Sequence, residues 1–165
     1  MTIERVGVIG GGLMGSGIAE VCAKAGSNVV VHEINTQAAE AALGRIDRSL
    51  AKAVERGKLT DDDRQSFLDR ITVSTDLSEQ ADRQIVIEAA TENEDLKKQI
   101  FSDLDEVVSD ENAILASNTS SIPITRLAAV TDRSESVVGL HFFNPGSGHG
   151  VSRVGDHGKD QRGGA

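Results

Sequence analysis

A glycine-rich turn between a short apolar segment and a helical one constrains this chain more than any other feature. The segment Arg5-Val-Gly-Val-Ile-Gly10 is short, apolar and closed by glycine, which predicts a buried strand. It leads directly into Gly10-Gly11-Gly12-Leu13-Met14-Gly15, a G-x-G-x-x-G pattern. A helix is predicted over residues 13–25, stopped by Gly26. A glycine turn placed between a strand and a helix is typical of a dinucleotide-binding site.

The glycines have separate predicted tasks in such a turn. Gly10 would make the tight turn, Gly12 would let the backbone approach a diphosphate, and Gly15 would let the helix pack closely on the strand. The phosphates would rest on the helix N-terminus, where unpaired N–H groups and the helix dipole favour an anion. The sequence therefore predicts cofactor contacts at these positions: Gly10, Gly12, Leu13, Met14 and Gly15.

Glu33 stands at the end of the second predicted strand, where a carboxylate can accept hydrogen bonds from the adenosine ribose hydroxyls. A carboxylate there would repel a 2′-phosphate, and residues 34–36 contain no Arg that could bind one. The predicted cofactor is therefore NAD and not NADP. The alternative is a structural glycine turn followed by a surface acid, and the agreement of strand, turn, helix and acid argues against it.

Strands and helices alternate along the chain as far as Pro145. This alternation predicts an α/β fold with a Rossmann-type, doubly wound parallel sheet in a single domain over residues 1–145. Strands are predicted at residues 5–10, 28–32, 71–74, 84–88, 113–117 and 137–140. Helices are predicted at residues 13–25, 36–56, 94–108 and 125–130, with a further short helix capped by Thr60.

Composition excludes several classes of partner. The net charge is −9 and no Lys/Arg cluster is present, so nucleic acid is not an expected partner. No apolar run reaches the roughly 18–20 residues of a membrane span, and the first residues lack the apolar core of a signal peptide. Cys22 has no second cysteine to pair with and is predicted to be a buried structural thiol. A cytoplasmic protein is expected.

Residues 146–165 differ in composition from the rest, with seven glycines and no Leu, Ile, Met or Phe. Such a segment cannot bury enough apolar surface to offset the entropy of ordering, and a disordered tail is predicted. No metal site is expected at His149 or His157, because no ordered scaffold would hold them. The abrupt change suggests translation in a shifted reading frame after Pro145.

Three later motifs make the chain resemble the L-3-hydroxyacyl-CoA dehydrogenase family, in its 3-hydroxybutyryl-CoA dehydrogenase branch. They are Val86-Ile-Glu-Ala-Ala-Thr-Glu-Asn93, Ala116-Ser-Asn-Thr-Ser-Ser-Ile122 and Gly139-Leu-His-Phe-Phe-Asn-Pro145. Their order and spacing are similar to the family's over residues 3–145. The resemblance implies an NAD-dependent oxidoreductase that interconverts 3-hydroxyacyl-CoA and 3-ketoacyl-CoA in fatty-acid metabolism.

The resemblance also implies roles for individual residues. His141 would be the general base that takes the 3-hydroxyl proton, Ser120 would hydrogen-bond the reacting oxygen, and Asn144 would orient the nicotinamide and the thioester. Taken alone, a histidine at a strand end is more often structural, and it is the surrounding motif with Ser120 upstream that favours the catalytic role. Two further pairs match the family's ligand contacts: Glu92 and Lys97 on the ribose and phosphate side of NAD, and Ser49 and Arg56 on coenzyme A. By position alone, Lys97 is expected on a solvated helix face.

The sequence departs from the family after Pro145. Arg153 stands where the family has the glutamate that orients the imidazole, and a cation there disfavours the imidazolium. The helical second domain, which forms most of the family's homodimer interface, has no counterpart in these 165 residues. Three hypotheses follow: a 3-hydroxyacyl-CoA dehydrogenase of this family, a catalytically inactive NAD-binding remnant, or a fragment completed by a separate C-terminal half.

Overall fold

The computed structural model describes residues 2–142, which form a six-stranded sheet with every strand pair parallel. The strands lie in the order β3-β2-β1-β4-β5-β6. The chain therefore winds outward from β1 in one direction and then from β4 in the other, and the predicted doubly wound sheet is confirmed. The strands are β1 (Arg5–Ile9), β2 (Asn28–His32), β3 (Ile71–Ser74), β4 (Ile85–Glu88), β5 (Ile114–Ser117) and β6 (Val137–Gly139).

Five α-helices occur within the described residues, and their ends follow from local chemistry. Gly26 and Gly57 follow the first two helices with φ of 99° and 71°, a conformation that glycine adopts without strain. The helix ends lie within about two residues of the predicted ends, because the terminal residues are the first to depart from the helical hydrogen-bond pattern. The helices are α1 (Leu13–Lys24), α2 (Thr36–Glu55), α3 (Asp61–Asp69), α4 (Glu94–Val107) and α5 (Ile124–Ala128).

The N-termini of α2, α3 and α4 are closed by side chains. Asn35 accepts from the Ala38 N–H, Thr60 shares a reciprocal capping box with Asp63, and Asn93 accepts from the Leu96 N–H. These caps satisfy N–H groups that have no partner inside their helix. The predicted cap at Thr60 is confirmed.

The two faces of the sheet carry separate aliphatic layers. The first lies under α1 and α2 and includes Val8, Ile18 and Ile46, while the second lies under α4 and α5 and includes Phe101 and Leu127. Cys22 is only partly buried and packs against the first layer. Burial raises the pKa of its thiol to about 11, so the thiol stays protonated at neutral pH, in keeping with a structural role.

Several predictions lie outside the described residues, among them the role of Asn144, the character of residues 146–165 and the position of Arg153. Within residues 2–142, no helix is both long and apolar enough to cross a membrane. In the same range, no three His, Cys, Asp or Glu side chains gather as a metal site would require.

Candidate functional site

The loops at the carboxyl edge of the sheet enclose two neighbouring cavities, at the point where the winding direction reverses between β1 and β4. One has a volume of about 460 Å³ and is lined by residues that include Gly12 and Glu33. The other has a volume of about 400 Å³ and includes His141 in its lining. Ala89 and Ala90, directly after β4, line both. Two adjoining cavities at a topological switch point are the arrangement that holds the two halves of a dinucleotide.

The glycine turn has the geometry that its pattern predicts. Gly10 has a φ of 93°, and a Cβ on Gly15 would come within 1.7 Å of the Gly10 carbonyl oxygen, so neither position accepts a side chain without a shift of the backbone. Gly12 is exposed, and a Cβ there would meet nothing within 4 Å. The turn is therefore closed on the protein side and open at Gly12 on the cavity side.

Helix α1 differs from α2, α3 and α4 because no side chain caps it. Its N-cap is Gly12, and the first turn contains no acidic residue. The first N–H groups of α1 therefore remain available to an anion on the open side of the turn, where the helix dipole also favours one. The residues present thus fit a cofactor diphosphate.

Glu33 follows β2 and lies against this turn. Its Oε1 accepts the Gly11 N–H at 2.5 Å, and its Oε2 lies 3.3 Å from the Ile34 N. The carboxylate therefore has a fixed position at the edge of the larger of these two cavities, with acceptor capacity left for ligand hydroxyls. Ile34, which lines the same cavity, is 83% exposed, so apolar surface is available there to pack on a flat ring. Leu13, the first residue of α1, is 65% exposed and lines neither cavity.

His32, at the end of β2, lines the same cavity. Its Nδ1 is buried and has no hydrogen-bond partner within the described residues. Burial lowers the pKa of this imidazole, against a smaller opposing effect from Glu33 and Asp76. The ring is therefore held in its neutral form at neutral pH.

The smaller cavity brings together most of the residues predicted for the reaction. Ser120 and His141 line it together with Met14, Glu92 and Lys97. Both Ser120 and His141 are exposed to the cavity and solvent. The backbone on either side of His141 is fixed to β5, because the Leu140 N–H donates to the Ser117 carbonyl at 3.0 Å and the Phe142 N–H donates to Asn118 Oδ1 at 3.1 Å.

Lys97 is not on a solvated helix face, and that expectation is wrong. It is 2% exposed, and its Nζ lies 2.5 Å from Oε2 of Glu88, a residue with no exposed surface. The Nζ also donates to the Ala90 carbonyl at 3.2 Å and lies 3.7 Å from Glu92 Oε1. The helix turns Lys97 inward because a buried carboxylate at the end of β4 stabilises its charge.

Glu88 was not predicted from the sequence to be a site residue. Besides Lys97 it accepts the Ser117 hydroxyl at 2.6 Å and the Ala90 N–H at 2.7 Å. Ser117 lies at the end of β5, and the Thr119 hydroxyl oxygen, in the turn that follows, accepts the Ile122 N–H at 3.2 Å. The sequence does contain a signal for Glu88, because an acidic residue ends an otherwise apolar strand there.

Arg45 was also missed. It lies on α2, and its Nη1 donates to the Gly11 carbonyl at 2.6 Å. The contact joins residues 34 positions apart, so no local pattern indicates it.

Ser49 and Arg56 are not brought to the cavity that contains His141. Both are exposed, Ser49 on α2 and Arg56 at its C-cap. At 1.5 Å per residue, Ser49 lies about 20 Å along the helix axis from its start. Neither residue lines the cavity of the glycine turn either. A larger cavity, of about 860 Å³, lies between α2 and α3 and includes none of the predicted site residues.

The fold, the glycine turn, the uncapped α1 and the acid after β2 together define an NAD-binding Rossmann domain. Residues 5–148 match the family described as 3-hydroxyacyl-CoA dehydrogenase, NAD binding domain, and the chain belongs to that family. The cofactor is accordingly NAD.

Relatives and solved structures agree with this assignment. The chain is 53% identical over 143 residues to a 3-hydroxybutyryl-CoA dehydrogenase of Mycobacterium tuberculosis, covering 87% of this chain and 50% of that one. It is 46% identical over 145 residues to a probable 3-hydroxybutyryl-CoA dehydrogenase of Bacillus subtilis, with 88% and 50% covered.

Two crystal structures are similar to the fold. That of FadB2 from M. tuberculosis has a TM-score of 0.87 at 52% identity, over 88% of this chain and 51% of that one. That of (S)-3-hydroxybutyryl-CoA dehydrogenase PaaH1 from Ralstonia eutropha has a TM-score of 0.84 at 48% identity, over 87% and 50%. The chain thus spans about half the length of the relatives it matches.

Proposed function

We propose that this chain provides the NAD-binding and proton-transfer half of a dehydrogenase that interconverts short-chain 3-hydroxyacyl-CoA and 3-ketoacyl-CoA. The observation that carries the proposal is that Ser120 and His141 line one cavity directly beside the cavity of the glycine turn. A hydroxyl and an imidazole are thereby placed next to the expected site of a nicotinamide ring. The names of the relatives, 3-hydroxybutyryl-CoA dehydrogenases, indicate the substrate class.

NAD would be held by the glycine turn and Glu33, and it would supply the acceptor for the hydride from C3 of the substrate. The imidazole of His141 takes the proton of the 3-hydroxyl in that direction and returns it in the other. The Ser120 hydroxyl donates a hydrogen bond to the same oxygen and stabilises the charge that develops there. Since the backbone at Leu140 and Phe142 is fixed to the β5 end, His141 keeps its place while the proton moves.

The other predicted residues bind rather than react. We propose that Glu92 and Lys97 contact the ribose and phosphate side of the cofactor, as both line the same cavity. Asn144, outside the described residues, is proposed to orient the nicotinamide and the thioester. Ser49 and Arg56 are proposed to contact the far end of coenzyme A, in keeping with their distance along α2.

The proposed partner is an acyl-CoA and not a nucleic acid, since the net charge is −9 and repels polyanions. A phosphate-bearing substrate is then held by individual donors such as backbone N–H groups. We also propose that the protein acts in the cytoplasm, where both NAD and acyl-CoA are present.

Reduction of acetoacetyl-CoA, followed as NADH oxidation, tests the proposal. In the 165-residue chain, His141→Gln is expected to lower turnover by about 10²–10⁴-fold, the contribution of a positioned acid–base group, with no change in NADH affinity. Ser120→Ala should also lower turnover, while Ser121→Ala, one residue further in the same exposed turn, serves as the matched control. Turnover that survives His141→Gln would contradict the assignment.

A second candidate function is NAD binding without turnover. It is favoured by the exposure of His141 in a chain that spans half the length of its relatives, because an exposed site neither excludes water nor positions an acyl group. Tight NADH binding together with turnover more than about 10⁴-fold below that of a full-length relative, a loss comparable to that of a catalytic triad acid, would support this candidate and exclude the first for the chain alone.

A further inference from the structure

We propose that Arg45 is a positioning residue for the cofactor diphosphate, acting through the peptide bond between Gly11 and Gly12. The Gly11 carbonyl oxygen accepts two hydrogen bonds from within the protein: one from Arg45 Nη1 at 2.6 Å and one from Ser16 Oγ at 2.7 Å. These donors come from α2 and α1. The carbonyl is therefore held toward the two helices and away from the cavity.

The direction of this carbonyl determines the direction of the Gly12 N–H. The peptide bond is trans, so its C=O and N–H point in opposite directions. With the Gly11 oxygen held toward the two helices, the Gly12 N–H points away from them, and Gly12 lines the cavity. No backbone carbonyl within residues 2–142 accepts this N–H, so it is available to donate to a ligand.

The preceding peptide is fixed in the complementary way. The Gly11 N–H donates to Glu33 Oε1 at 2.5 Å, so the two peptides that flank Gly11 are tied to an acid and a base. Glu33 faces the expected adenosine ribose, and Arg45 orients the Gly12 N–H toward the expected diphosphate. Arg45 thereby couples the diphosphate donor to the residue that is predicted to select NAD.

Arg45 also acts on the strength of this donor. A hydrogen bond from a guanidinium to a carbonyl is charge-assisted, and it polarises the amide so that its N–H becomes a better donor. Helix α2 lies close enough for this contact because Gly11 has no side chain: a Cβ there would come within 2.4 Å of the Ala42 Cβ, one turn before Arg45.

The inference depends on NAD binding and not on the proposed dehydrogenase activity, so its test uses binding alone. NMR titration of the full chain with NADH, ADP and adenosine compares ligands with and without a diphosphate. Arg45→Met should weaken NADH and ADP by about 10–100-fold, the effect of losing a hydrogen bond to a charged group, and leave adenosine within about twofold. The matched control is Arg48→Met, an exposed arginine on the same helix.

Two milder variants keep the test decisive if Arg45→Met perturbs folding. Arg45→Lys retains the charge and should restore part of the ADP affinity, while Ser16→Ala removes only the neutral donor and should cost less than Arg45→Met. In the ligand-free protein, the Gly12 amide proton resonance should shift in Arg45→Met and not in Arg48→Met. Equal losses for ADP and adenosine, or no loss for ADP, would overturn the inference, whatever the turnover of the chain.

Discussion

Lys97 and Glu88 form an ion pair that is buried below the cavity of Ser120 and His141. The Lys97 Nζ lies 2.5 Å from Glu88 Oε2, and the two residues are 2% and 0% exposed. Removing both charges from water is costly, and the cost is offset only because each has further partners, such as the Ser117 hydroxyl and the Ala90 carbonyl. The pair joins the ends of β4 and β5 to α4, and so fixes the floor of the cavity.

Breaking this pair from one side should destabilise the fold. Lys97→Met leaves the Glu88 carboxylate buried without its cation, and we expect a loss of about 3–5 kcal/mol in the free energy of unfolding. Urea unfolding followed by far-UV circular dichroism measures it. Lys98→Met, at the neighbouring position in an exposed pair with Glu94, is the control and should cost far less.

The double variant Glu88→Gln/Lys97→Met separates charge from packing. If the loss in Lys97→Met comes from an unpaired buried carboxylate, removing that charge as well should recover a large part of the stability. A double variant as unstable as the single one would show that Lys97 contributes by its packing alone.

The fold could be predicted from the sequence because its signals are local. Parallel strands buried on both faces are continuous apolar runs, and glycines such as Gly26 and Gly57 mark where helices end. The residues missed at the site were Glu88 and Arg45, whose partners lie on other parts of the fold. The contacts of Lys97 with Glu88 and of Arg45 with Gly11 connect different elements, and the periodicity of a helix indicates which face is apolar without indicating which charged group finds a buried partner.

Glu33→Ala should weaken NAD binding by about 1–3 kcal/mol, because a charged acceptor of ligand hydroxyls is lost. The change also releases the Gly11 N–H, which donates to this carboxylate. Calorimetric titration with NAD and NADP measures both effects: the wild-type chain should prefer NAD, and the variant should lose that preference. The control is Glu40→Ala, an exposed acid on α2. A wild-type chain that prefers NADP would contradict the assignment of Glu33.

Three glycine-to-alanine variants in the same segment should behave differently. Gly12→Ala meets nothing within 4 Å, so folding should be unaffected while the new methyl group obstructs the diphosphate and NADH affinity falls at least about tenfold, a loss of about 1.4 kcal/mol. Gly15→Ala would place its Cβ 1.7 Å from the Gly10 carbonyl and should unfold at lower temperature. Gly17→Ala, also in open space inside α1, should leave NADH affinity unchanged and raise stability by up to about 1 kcal/mol.

Thermal denaturation and NADH titration of the same three preparations test this set. The result that matters most is the separation of Gly12→Ala from Gly17→Ala, since both add one methyl group to open space. Equal NADH affinities in these two variants would contradict a diphosphate site at the glycine turn.

His32 should make the stability of the fold depend on pH below neutrality. Burial lowers the pKa of this imidazole from its ordinary value of 6.5, so between that value and its lower folded pKa the unfolded chain binds a proton that the folded chain does not. Stability from this residue is therefore fully present above pH 6.5 and is lost as the pH falls through this window. Because the ring is only partly buried, the slope of the free energy of unfolding against pH should be less than the slope expected for the uptake of one full proton.

The measurement is the free energy of unfolding at a series of pH values from about 8 to 5, a range centred on the ordinary histidine pKa, for the wild-type chain and His32→Gln. The exposed carboxylates and the other histidines are common to both proteins and cancel in the difference. The wild-type chain should lose more stability than His32→Gln as the pH falls, and the two curves should run parallel above neutrality. Added NAD should raise the stability of both proteins at each pH. If the wild-type curve runs parallel to that of His32→Gln through the acidic range, burial does not hold the imidazole neutral in the cavity that Gly12 and Glu33 line.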